Sequence, residues 1–132
     1  MTIPRTRYRC DHVHLRSRDA VAAGAFYVEI LGAREIGREG VPVSRVILDI
    51  GGLTLFIEQA PDGLPPSAQA PHLGIEHIGL AVDDIEATYA DLRRRNASIV
   101  SGITDVRPGL RVLFIEGPDA VRIEFLQRSD AP

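Results

Sequence analysis

Apolar and polar residues follow one another in two periods along this chain, and the order of the runs is the same in each half. Val13 and Leu15 alternate with His12, His14 and Arg16, and Ile78 and Leu80 alternate with His77 and Gly79, the period-two signature of a half-buried strand. Asp19 or Ser17 can cap a helix carrying Val21, Ala22, Ala25, Phe26, Val28 and Ile30, which Gly32 ends. Asp83 or Asp84 can cap a second helix carrying Ile85, Tyr89 and Leu92, with Arg93–Arg95 at its C-terminal end and Asn96 to stop it. Three short strands are expected after each helix. They fall at about 34–38, 43–50 and 53–59 in the first half and at about 98–104, 110–116 and 120–127 in the second. Asp11-His12-Val13 and Glu76-His77-Ile78 stand 65 residues apart, as do Asp19 and Asp84, so the chain repeats itself. Between the halves, Pro61 to Pro71 is too rich in proline for a helix or a central strand.

The reading is therefore an α+β fold of two βαβββ modules: module 1 at about 9–60, a Pro-rich connector at 61–74, and module 2 at about 75–128. With 132 residues the chain has the length of one domain, 1–132, able to bury a core without disulfides.

Strand parity sorts the side chains. Val121, Ile123 and Phe125 form an apolar row for the core, as do Leu53, Leu55 and Ile57. The opposite face then collects His12, His14, Arg16, Thr54, Phe56, Glu58, His77, Arg122, Glu124 and Leu126, with Gly79 leaving room for a ligand. A wet sheet face would favour Thr, Ser, Lys and Glu, yet three of the four histidines fall here, two at repeat-related positions. Imidazole nitrogen and carboxylate oxygen together make a ligand set for zinc, iron, nickel or manganese.

Composition narrows the partners. Hydrophobic residues are 45% and charged residues 25%, ordinary globular usage, and the net charge of −3 argues against nucleic acid. No apolar run approaches the ~20 residues of a membrane span and the start lacks the apolar core of a signal peptide, so a cytoplasmic protein is expected. The single Cys10 fits a reducing compartment. All 15 basic residues are arginine, which excludes lysine Schiff-base chemistry and leaves an anionic substrate open.

The paired openings at His12 and His77, the stretch Ala25-Phe26-Tyr27 to Leu31-Gly32, and the closing Gly117-Pro118-Asp119 to Arg122-Ile123-Glu124-Phe125 resemble the vicinal oxygen chelate superfamily of glyoxalases, bleomycin-resistance proteins and extradiol dioxygenases. The resemblance spans about Arg9 to Arg128. It implies paired βαβββ modules around a cup-shaped cavity, a homodimer, and one divalent ion (Zn, Ni, Fe, Mn or Co) on His12, His77 and Glu124. The family's fourth ligand position falls on Phe56, which cannot coordinate. Glu58 or His14, each one pleat further along, could replace it or stand behind the ligands; otherwise the site has three ligands.

Three functions follow. The first is a metal-dependent lyase, isomerase or epimerase that binds neighbouring oxygens of a small substrate and stabilises an enediolate. Glu124, His14 and Glu58 are its candidate proton-handling groups, and Arg122, Phe56, Thr54 and Arg16 its substrate contacts. The second is an Fe(II) ring-cleaving dioxygenase built on the three-ligand set. The third is a binding protein that sequesters a small molecule without a metal, which Phe56 favours and the intact trio disfavours.

Overall fold

The computed structural model describes residues 1–129; positions 130–132, the end of the expected domain, lie outside the described residues. An exposed N-terminal segment leads into β1 (Val13–Ser17), α1 (Ala20–Leu31), β2 (Arg34–Glu39), β3 (Arg45–Ile50) and β4 (Leu53–Gln59). The connector then leads into β5 (Ile78–Ala81), α2 (Ile85–Arg94), β6 (Ser98–Arg107), β7 (Leu110–Glu116) and β8 (Arg122–Arg128). The strands form two four-stranded mixed sheets, ordered β1-β4-β3-β2 and β5-β8-β7-β6. In each sheet the first and last strands of the module run parallel and the other pairs antiparallel. Both expected βαβββ modules are present.

Local chemistry explains the elements. Asp19 and Asp84 are the helix N-caps, their side chains accepting from Ala22 N and Ala87 N at 3.0 Å. Gly32 ends α1 in the left-handed region at φ 71°, and Asn96 follows α2 at φ 58°. Gly51 and Gly52 both have positive φ, the requirement of a tight two-residue hairpin between β3 and β4. Each helix start also receives a side chain from its module's last strand. Gln59 Oε1 accepts from Ala20 N at 2.9 Å, and Gln127 Oε1 accepts from Ile85 N at 2.8 Å.

The core lies between each sheet and its helix. Val46, Leu48, Leu55 and Ile57 are buried in module 1, and Leu113, Ile115, Ile123 and Phe125 in module 2, as the alternation requires. Helix α1 buries Ala20, Ala23, Gly24 and Tyr27, while Val21 and Val28 stay exposed. The cause is close approach to the sheet: a Cβ on Gly24 would stand 3.0 Å from Val46 Cγ1, so the small-residue stripe must face inward. Leu126, on the face opposite the core row, is nevertheless buried and takes part of the space beside Gly79, where a Cβ would meet Leu126 Cδ2 at 3.5 Å.

The modules meet along α1 and the turn before β8. Arg18 N donates to Asp119 Oδ1 at 3.2 Å, Arg95 Nη1 donates to Glu29 O at 3.2 Å, and Phe26 lies against Gly117. Among the described residues no helix is long and apolar enough to cross a membrane.

Candidate functional site

In module 2, His77 immediately precedes β5, and Gly79 on that strand pairs with Glu124 on β8. Glu124 Oε1 lies beside Gly79, 3.7 Å from where a Cβ would stand, and His77 Nε2 is 3.7 Å from the same oxygen. Glu124 has no hydrogen-bond partner among the described residues, and its side chain is only 19% exposed. On the other side of the ring, His77 Nδ1 is 3.5 Å from Glu76 Oε2, and Glu76 Oε1 lies 3.4 Å from Arg122 Nη1. Phe114, opposite Glu124 on β7, supports both groups: Arg122 lies over its ring at 4.9 Å, and His77 meets its edge with centroids 5.4 Å apart. A cleft of about 510 Å³ lined by Ser67, Gln69, Val100, Glu116 and Arg122 opens alongside.

Module 1 carries the same parts on different strands. His12, just before β1, stacks on Phe56 of β4 with centroids 4.0 Å apart and planes 16° from parallel. Its Nδ1 lies 2.6 Å from Asp11 Oδ2. Arg45 of β3 covers the same phenyl ring at 5.1 Å, so each module has a histidine and an arginine sharing one aromatic ring. Thr54 is on β4 one pleat from Phe56, half-buried.

Glu58 is surrounded by two arginines and a histidine. Arg45 Nη2 donates to its Oε1 at 2.9 Å, while Arg16 Nη2 and His14 Nε2 stand 3.4 and 3.5 Å from Oε2. The hydrogen bond from Arg45 is the first cause of a Glu58 carboxyl held below its ordinary range, with charge from Arg45, His14 and Arg16 adding to it. Register explains the cluster: Arg16 and Arg45 are the residues opposite Glu58 on β1 and β3.

The structure thus brings His77 to Glu124, and His14 and Arg16 to Glu58. It keeps His12 on the other sheet, against Phe56. Among the described residues no three His, Cys, Asp or Glu side chains converge closely enough to hold a metal ion. Arg45, Phe114, Asp11 and Glu76 belong to these clusters and escaped the sequence reading. Hairpin register across Gly51-Gly52 would have found Arg45, because it places Arg45 opposite Glu58. The repeat itself held the signal for Asp11 and Glu76, an acid before each repeat histidine.

Paired βαβββ modules with a histidine at each opening and a carboxylate on the final strand define the class of fold and site. The chain belongs to the Glyoxalase/Bleomycin resistance protein/Dioxygenase superfamily, whose model matches residues 9–125. It is 32% identical over 127 residues to the uncharacterised protein YwbC of Bacillus subtilis (strain 168), covering 91% of this chain and 98% of that one. It is 28% identical over 123 residues to the "Probable lactoylglutathione lyase" of Synechocystis sp. (strain ATCC 27184 / PCC 6803 / Kazusa), covering 89% and 94%. The crystal structure of a glyoxalase family protein from Enterococcus faecalis superposes with a TM-score of 0.74 at 25% identity, covering 88% of this chain and 94% of that one.

Proposed function

We propose that the chain is a cytoplasmic, metal-dependent lyase or isomerase of this superfamily, acting on a small substrate with two adjacent oxygens. The reading is carried by His77 Nε2 and Glu124 Oε1, an imidazole nitrogen and a carboxylate oxygen facing each other at 3.7 Å. Such a pair is stabilised by a shared proton or by a cation. The donor set fits a divalent ion: imidazole and carboxylate serve Zn, Ni, Fe, Mn or Co, and each candidate histidine has a carboxylate on its far nitrogen. One chain supplies two of the three donors at one point. We therefore assign the third, His12, to a second copy in a homodimer, so that each cavity joins module 2 of one chain to module 1 of the other. The bound ion would supply Lewis-acid polarisation of the two substrate oxygens. The protein's own groups do the rest. Glu124 is the group we assign to take a proton from the carbon next to a carbonyl. On the module 1 side of such a cavity His14 and Arg16 stand beside Glu58, Phe56 and Thr54 form the wall, and an anionic substrate group would compete with Glu58 for Arg16 and with Glu76 for Arg122.

The test is metal content and affinity of chelator-stripped protein reloaded separately with Zn²⁺, Ni²⁺, Co²⁺, Mn²⁺ and Fe²⁺. One ion per chain is expected with at least one of them. Glu124→Ala should abolish binding yet change stability by less than about 1 kcal/mol, because the residue packs against no core row. Assay of lactoylglutathione formation and breakdown, and of oxygen uptake with catechols on the Fe²⁺ form, then separates lyase from dioxygenase. A second reading, a metal-free small-molecule binder, is favoured by one observation: Phe56 holds the fourth ligand position and covers a face of His12. Substoichiometric loading by every ion would select it.

A further inference from the structure

We infer that Asp11 and Glu76 are positioning residues that fix the tautomer of the histidine following each of them. The inference rests on the reading of His12 and His77 as ligands for its purpose, though not for its test. An ionised carboxylate can only accept a hydrogen bond, so the 2.6 Å contact between Asp11 Oδ2 and His12 Nδ1 requires the proton to sit on Nδ1. In the neutral imidazole, His12 Nε2 is then the nitrogen with the free lone pair. At the equivalent place in module 2 a carboxylate faces each ring nitrogen of His77, Glu76 Oε2 at 3.5 Å from Nδ1 and Glu124 Oε1 at 3.7 Å from Nε2, and we assign the proton to Nδ1, the nearer of the two and the one whose carboxylate is itself anchored. Both acids precede the first strand of their module, outside the pleat. A neighbouring side chain can fold back there onto the next residue, whereas within a strand the two would point to opposite faces.

Glu76 is itself tied down. Its other oxygen is 3.4 Å from Arg122 Nη1, and Arg122 lies on Phe114, which also meets the edge of His77. Arg122, Glu76, His77 and Phe114 therefore close a ring of contacts that holds the imidazole plane. In module 1 the plane is held by the Phe56 stack instead, and Asp11 needs no arginine. The two halves reach the same result by different means: a ring clamped against an aromatic side chain, with a carboxylate behind it on Nδ1.

The experiment uses the full, metal-stripped chain labelled with ¹⁵N at histidine, read by long-range ¹H–¹⁵N correlation across a pH series and taken at its alkaline plateau, where the rings are neutral. His12 and His77 should both carry their proton on Nδ1. Asp11→Ala should move His12, and Glu76→Ala should move His77, to the Nε2-protonated form. The other repeat histidine, His14 and His72 should stay unchanged. Glu76→Gln should preserve the Nδ1 proton, because an amide oxygen still accepts. On the same variants, Zn²⁺ affinity should fall about 10–100-fold for the alanine changes and less for the glutamine. Far-UV circular dichroism checks that each variant is folded. Nε2-protonated His12 and His77 in the unmodified protein, or alanine variants whose tautomers do not move, would overturn the inference. Wild-type tautomers as stated with no binding of any divalent ion would leave it standing and remove the proposed function instead.

Discussion

Glu58 shows how one side chain changes meaning once its neighbours are known. In sequence it stands two residues past the missing ligand position, an available carboxylate. In the fold it accepts from Arg45 and faces Arg16 and His14, and its carboxyl is held below its ordinary value of 4.5. A carboxyl whose folded value is depressed stabilises the fold above its unfolded value and loses that contribution as the pH falls through the folded one. Arg45→Met removes the largest cause. The variant should be less stable than the parent at pH 7 and the gap should narrow as the pH falls below 4.5, measured as urea midpoints at pH 7 and pH 3. A gap of equal size at the two pH values would mean that Arg45 acts by packing on Phe56 alone. The residue types on this face were legible from parity; the ion pairing was not, because it depends on which strand lies beside which.

At the scale of elements the pattern carried most of the fold. Alternation placed the strands and the two Asp caps placed the helix starts. The discrepancies have local causes. Strand β6 runs on to Arg107 because register shifts keep it paired with β7 past the expected end. Strand β8 starts at Arg122 because Asp119 and Ala120 take positive φ, near 60°, in the turn before it. The inward face of α1 was not legible because that helix is apolar on nearly every side, and only contact with Val46 selects the side with Gly24. The glutamine clasps were also invisible, since they join residues at opposite ends of a module. Each satisfies an N–H that the first turn of a helix leaves unpaired. Gln127→Ala should cost about 1 kcal/mol and lower the melting temperature by about 4 °C. Gln127→Glu keeps an acceptor and adds charge at a helix N-terminus, so it should melt at or above the parent. Equal losses for Ala and Glu in thermal scans would place the effect in packing and not in the hydrogen bond.

For the whole molecule, parity could list the groups on one face of each sheet, yet it could not say which two faces meet. The fold gives each module its own cluster, His77 with Glu124 and His12 with Phe56, and joins the modules through α1 and the turn before β8 and not through the histidine-bearing faces. If a second copy completes each cavity, the donors of one site belong to two chains. Complementation decides this. His12→Ala and Glu124→Ala homodimers should each fail to bind the divalent ion. Mixed, unfolded and refolded together, they should regain it. In the heterodimer one cavity pairs the intact His12 of the Glu124→Ala chain with the intact His77 and Glu124 of the His12→Ala chain. The other cavity lacks both groups. Random pairing makes half of the dimers mixed, each with one whole site of its two. Metal content should therefore return to about a quarter of the parental value. No recovery, with dimers and refolding confirmed by sedimentation, would put all three donors back on a single chain.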